Sequence, residues 1–319
     1  MNRINHTVIA EFILMGFSDV PELQYFLFIT FFCIFNISLS AHMFLILLYR
    51  FSPNLHTPMY FFLANFSFME ICYLFTICPK MLTNLHSGEK TITFYGCAIQ
   101  MYFFLLFAGS ECYMLVSMAY DRYIAICQPL LYNMLMHKVI CMQLIWASWM
   151  IGTAVAIIQT VLIFSLPFCG SHEINHFYCD IPPLMALACA DTWVYEVLTF
   201  LITLSVIVGS FVLTLFSYSV IIWTVVTKHS SSGRKRAFST CTSHVVVVTI
   251  FYGSGCVMYL RPKSSYGTGE DKFISLMYTI VAPLFNPFIY SLRNNDVKTA
   301  LLTLLKASSW LNHKKNVKS

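Results

Sequence analysis

Between positions 23 and 292 the sequence alternates long apolar runs with short polar segments. Five runs contain no Asp, Glu, Lys or Arg: Leu23 to Tyr49, Val139 to Gly170, Val197 to Thr227, Cys241 to Leu260 and Phe273 to Leu292. Two more hold a single acid each, Glu70 within Pro58 to Ile77 and Glu111 within Gly96 to Ala119. A hydrocarbon layer about 30 Å thick needs roughly 20 apolar residues of helix to cross it. The pattern predicts seven crossings, at 23–49, 58–78, 97–119, 139–167, 196–227, 238–260 and 272–292. The fold class is therefore an all-α membrane protein, a seven-transmembrane helix bundle.

Composition agrees, with 58% hydrophobic and 10% charged residues, against about 45–50% and about 25% in soluble domains. The basic residues are lopsided. Of 19, 13 fall on the side that holds Arg50, Arg122, the 228–240 segment and residues 293–319. The positive-inside rule then predicts residues 1–22 outside and the tail 293–319 in the cytoplasm. No basic, apolar and small-residue succession in the first twenty residues predicts a removable signal peptide. The basic residues follow topology, so nucleic acid is not an expected partner, whereas membrane lipid is.

The outer segments carry their own chemistry. Asn5 begins the sequon "NHT" and is expected to be glycosylated, while Asn36 and Asn65 match the same pattern inside helices. Cys97, Cys169, Cys179 and Cys189 fall outside, where four thiols allow three pairings. A bridge from Cys97 into the long segment before the fifth helix would fix a lid over the bundle; free thiols are the alternative. "HFYCD", His176 to Asp180, has spacing for a soft metal only if Cys179 is a free thiolate, and no metal is expected. Inside, "KHSSSGRKRAFST" reads as a basic, Ser-rich loop, and "DVKTALLTLLKASSW" as a short amphipathic helix on the inner surface.

No period of 20–50 residues and no matched pair of broken helices occurs, which counts against a solenoid and an inverted-repeat transporter. Glu70 and Glu111 are the only acids within the apolar runs, with no catalytic motif around them, so no enzyme is expected.

Six ordered motifs carry a resemblance. They are "LHTPMYFFLANFSF", "MAYDRYIAIC", "SY" at Ser217, "KRAFSTCTSH", "FYG" at Phe251 and "PLFNPFIYSLRN". Together they resemble the motif set of vertebrate olfactory receptors, a branch of the rhodopsin-like G-protein-coupled receptors, from Glu11 to Asn294. The resemblance implies a multi-pass plasma-membrane receptor for a small volatile odorant. It further implies a stimulatory olfactory G protein as partner and cyclic AMP as output; a rhodopsin-like receptor for a non-odorant ligand in another tissue is the alternative.

The resemblance also implies site roles. Asp121, Arg122 and Tyr123, with Tyr218, His244, Tyr252, Asn286, Pro287 and Tyr290, correspond to the activation switch. In this reading Asp121 holds Arg122 at rest, and Asn286 satisfies a carbonyl freed by Pro287. Phe104, Ala108 and Cys112 recur at i+4 beside Leu105 and Gly109 on the third helix. Gly255, Cys256 and Tyr259, with Tyr252, form a stripe on the sixth. The family pattern places these opposite Ile202, Thr203 and Val206, with Thr279 closing a ligand pocket. The small residues could instead serve close helix packing. Phe104 stands where aminergic relatives place an acid, which implies a neutral, mostly apolar ligand oriented by Thr203, Tyr259 or Thr279.

Glu70 and Glu111 correspond to a polar core that could hold a sodium ion or share a proton, or simply bond to Asn286. Beyond sodium no cofactor is expected. The chain departs from the pattern at Ala41 and His42, where "GN" is usual. His42 is expected either to pair with Glu70 and replace the usual bridge, or, as the longer side chain, to loosen the resting state.

Overall fold

The computed structural model describes residues 10–17, 21–169, 171–228, 230–259, 270–292 and 296–303. Seven helices in it are long and apolar enough to cross a membrane. In order they are Gln24–Phe51, Pro58–Ser87, Phe94–Cys127, Lys138–Phe164, Trp193–Lys228, Ser231–Tyr259 and a composite seventh. The seventh joins Glu270–Leu276, a π-helical turn Met277–Val281 and Ala282–Leu292.

Local chemistry sets several boundaries. Pro58 opens the second helix, where its missing N–H costs nothing. Gly88 closes it at φ 71°, a left-handed conformation that glycine adopts without a Cβ clash. Thr93 caps the third helix by accepting from the Gly96 N–H at 3.1 Å. The helices run well past the apolar runs of the sequence. At 1.5 Å per residue, the 34 residues of the third rise about 50 Å, more than any bilayer core.

One expectation is overturned. The segment 228–240 reads as a loop, yet the sixth helix begins at Ser231. Serine has only a modest helix penalty, and the apolar helix that follows extends back through it. The amphipathic stretch of the tail is helical over 296–303, with Val297 and Ala300 buried three residues apart and Tyr60 Oη donating to Asp296 at 3.1 Å.

The third helix is the hub, 78% buried along its apolar window against 28% for the first, fourth and fifth. Trp146, Phe216 and Trp223 point outward from the bundle, as lipid-facing side chains do. Gly152 of the fourth helix lies tight against the third. A Cβ there would lie 2.2 Å from Ser110 Oγ and 2.6 Å from the Leu106 carbonyl.

A three-stranded sheet lies across the end of the bundle that holds the disulfides. β1 (Glu11–Leu14) is central, antiparallel to β2 (Thr91–Thr93) with Phe12 opposite Ile92, and parallel to β3 (Glu173–Ile174) with Ile13 opposite Glu173. Alternation turns Phe12 and Leu14 inward, where both are fully buried. Phe12 packs edge-on to Phe168 and stacks on Phe94.

Candidate functional site

At the sheet end, two disulfides select one of the three pairings, Cys97 with Cys179 and Cys169 with Cys189. The first ties the segment before the fifth helix to the third, forming a lid. Gln100 locks it: its Nε2 donates to the Thr76 carbonyl and its Oε1 accepts from the Cys179 N–H, both at 3.0 Å. With its sulfur bonded to Cys97, Cys179 offers no thiolate. Among the described residues no group of three His, Cys, Asp or Glu could hold a metal ion.

The lid folds aromatic side chains onto the bundle. Tyr178 sits 4.9 Å from the Phe104 ring, centroid to centroid, and Tyr73 and Tyr278 flank Phe104 at 5.7 and 6.3 Å. Phe104 is fully buried in this cage. Tyr178 Oη donates to Asp180 at 3.1 Å, and burial first, then the Asp180 carboxylate, pushes its ionisation upward. His176 is wedged between Phe177 and Tyr178, with Nε2 bonded to Ser275 Oγ at 3.0 Å. Burial, and next the Lys272 ammonium, lowers its pKa to about 3, so the imidazole is neutral.

Below the cage, Leu105 and Cys112 are buried and Ala108 half-buried on the third helix. Val206 is buried on the fifth, Ile202 and Thr203 half-buried, and Cys256 half-buried on the sixth. Tyr252 Oη donates to the Cys112 carbonyl at 3.0 Å and its ring meets Phe211 at 5.2 Å, joining third, fifth and sixth helices. Gly255 faces Ile207 of the fifth helix, 3.9 Å from the place a Cβ would take.

Three ligand-site candidates have partners within the protein. Gly109 turns to the fourth helix, where a Cβ would lie 3.3 Å from Gly152 Cα, so it serves helix packing. Thr279 gives its hydroxyl proton to the Ser275 carbonyl at 2.7 Å. Thr203 accepts from Gln159 Nε2 at 3.0 Å. The Tyr259 side chain and Asn5 lie outside the described residues.

In the mid-bundle, Asn286 Nδ2 donates to Glu70 Oε1. Glu70 Oε2 and Glu111 Oε1 are buried without a partner. His42 does not pair with Glu70; its Nε2–H donates to the Pro283 carbonyl at 2.9 Å. Proline explains both corrections. Pro287 has no N–H for the carbonyl four residues earlier, which is that of Pro283. His42 supplies the missing donor, so Asn286 is released to bond Glu70.

At the far end, Arg122 Nε donates to Asp121 Oδ2 at 2.9 Å and Nη2 donates to the same oxygen. Tyr132 Oη donates to Asp121 Oδ1 at 2.8 Å, so both oxygens of a fully buried carboxylate are engaged. Tyr132 holds its proton more tightly than usual, through burial first and then the adjacent carboxylate. Tyr218 Oη and His244 Nδ1 are bonded at 2.7 Å on the facing fifth and sixth helices. Tyr123 packs beside Tyr120 and accepts from Gln128 at 3.4 Å. Tyr290 is buried against Phe66, its hydroxyl without a partner. The pair is closed: Arg122 is held by its neighbour and its hydrogen bonds go to Asp121.

Sequence reasoning gave no role to Gln100 or Tyr132, and read His176 and Tyr178 only within the "HFYCD" motif. Gln100 had a signal, an amide inside an apolar helix. Tyr132 reaches back eleven residues to Asp121, and His176 reaches Ser275 ninety-nine residues on, pairings that no local pattern announces.

Seven membrane-length helices, a disulfide-pinned lid over an aromatic cage and a closed Asp–Arg pair at the opposite end define a seven-helix membrane receptor. A family profile described as olfactory receptor matches residues 31–307, and the chain belongs to that family of G-protein-coupled receptors. It is a receptor and not an enzyme. The chain is 46% identical to olfactory receptor 10A7 of Homo sapiens over 93% of its own length and 94% of that protein. It is 47% identical to olfactory receptor 5I1 of Homo sapiens, covering 95% and 96%, and 44% identical to olfactory receptor 5AR1 of Mus musculus, covering 96% and 98%.

Proposed function

We propose that the protein is an odorant receptor of the plasma membrane, with residues 1–22 outside and the tail in the cytoplasm. It binds a small neutral, mostly apolar volatile beneath the lid and activates a stimulatory olfactory G protein, raising cyclic AMP. The third helix carries the reading. One continuous helix, Phe94–Cys127, holds Phe104 in the aromatic cage and Asp121 with Arg122 at its other end. A ligand that shifts Phe104 acts on an element whose far end carries the ion pair.

The neutral ligand class is supported by the aromatic rings of Phe104, Tyr73, Tyr178 and Tyr278, and by the engagement of the neighbouring Asp180 carboxylate with Tyr178 Oη. The orientation is supported by the excess of basic residues on the Arg122 side. The unpartnered oxygens of Glu70 and Glu111 suit a shared proton or a sodium ion in the polar core. A chemically diverse panel of odorants, applied to cells expressing the receptor with cyclic AMP as readout, tests the reading. Responses confined to charged ligands, or no rise in cyclic AMP with any responding ligand, overturn it.

A further inference from the structure

Gln159 is an amide buried in the fourth helix, on the face that also carries Gly152 and Ala156. That face packs on the third helix, since Gly152 abuts Ser110. The amide reaches sideways to the fifth helix, where its Nε2 donates to Thr203 Oγ1 at 3.0 Å. The reverse placement would leave both amide N–H groups without a partner, and buried N–H groups are orphaned more rarely than oxygens, which have two lone pairs. Gln159 therefore gives and Thr203 accepts.

Thr203 differs from the other hydroxyls of its helix in consequence. Ser210, Thr214 and Ser217, on the buried face, each donate to the carbonyl four residues back. Among the described residues, the Thr203 hydroxyl accepts from Gln159 and donates to no group. It stands half-buried, one turn from Val206 and from Ile207, which meets Gly255 of the sixth helix. Other pocket hydroxyls are already engaged: Thr279 donates to the Ser275 carbonyl and Tyr252 to that of Cys112.

We propose that Gln159 is a positioning residue of the odorant site, holding the Thr203 hydroxyl toward the ligand as a hydrogen-bond donor. Without the amide, Thr203 turns to the Thr199 carbonyl as its neighbours turn to theirs, and the donor is lost. The site then prefers a neutral odorant with an accepting oxygen, as in a ketone, ester, ether or alcohol, over a hydrocarbon of the same shape. A water serves the remaining lone pairs of Gln159 Oε1 without changing the direction of the bond. The inference rests on the odorant reading above.

The test applies isosteric pairs to cells expressing the full chain. Acetophenone is set beside α-methylstyrene, anisole beside ethylbenzene, and medium-chain methyl ketones beside the alkenes in which a methylene replaces the oxygen. The unmodified receptor reaches its half-maximal cyclic AMP response at a concentration about 2–10-fold lower for the oxygenated member. Gln159→Met and Thr203→Val each abolish that ratio, the double variant loses no more than either, and Thr203→Ser retains it. A purely structural role moves both members of a pair alike. An unchanged ratio in Gln159→Met, or a further loss in the double variant, overturns the proposal. Failure of both Gln159→Met and Gln159→Leu to reach the surface overturns it too, since the amide then serves the fold. Hydrocarbons that match their partners in the unmodified receptor, or silence toward these pairs alongside responses to other odorants, overturn this proposal alone. Silence toward every odorant overturns the reading on which it rests.

Discussion

The carbonyl of Pro283 on the seventh helix accepts its hydrogen bond from His42 on the first, at 2.9 Å. The bond exists because Pro287, one turn on, cannot provide one. His42→Ala leaves a buried carbonyl unsatisfied at about 1–3 kcal/mol, and lowers the thermal stability and surface expression of the receptor. His42→Asn keeps a donor and removes the ring nitrogen Nδ1, which is buried without a partner. Its expression, by flow cytometry, equals or exceeds that of the unmodified chain.

Tyr132→Phe removes one of the two groups holding the Asp121 carboxylate while keeping the ring. Hydrogen bonds to charged groups contribute about 1.5–3 kcal/mol, so the resting pair with Arg122 weakens. Basal cyclic AMP without odorant rises, by roughly tenfold or more. Unchanged basal signal would detach Tyr132 from the resting state.

Gly152→Ala drives a methyl into Ser110 and the Leu106 backbone. Backbone cannot swing aside as a side chain can, so the third and fourth helices part at a cost of about 1–3 kcal/mol or more. Surface expression collapses. Gly109→Ala, whose methyl meets Gly152 at 3.3 Å, is milder.

His176 links stability to pH. Its pKa in the fold is about 3 against about 6.5 in an unfolded chain. Below pH 6.5 the unfolded chain binds a proton that the folded one refuses, so stability falls with decreasing pH, by up to about 1.4 kcal/mol per unit. Above pH 6.5 this contribution is constant. The unfolding midpoint of the purified receptor drops between pH 7.5 and 5, and His176→Asn flattens the drop.

The seven helices were legible because length and absence of charge are properties of a single segment. The sheet was not. "EFIL" at Glu11 is four residues with no turn signal, and its partners lie about 80 and 160 residues on. The ion pair and the proline inside the seventh helix could be read from adjacent letters. His42 could be flagged as unusual, yet its acceptor is a backbone carbonyl, which leaves no mark in a sequence. Gly109 shows the limit of periodicity: one residue beyond Ala108 is a turn of about 100° about the axis, enough to face another helix.

The central place of β1 in the sheet sets a schedule for synthesis. Glu11–Leu14 leave the ribosome before either neighbouring strand, and β3 follows about 160 residues later, roughly 8–30 s at ordinary elongation rates. Until then one edge of this apolar strand stays unpaired while the first four long helices are made. Biogenesis of the receptor therefore contains a built-in delay, in which a chaperone that shields the amino-terminal segment would have most to protect.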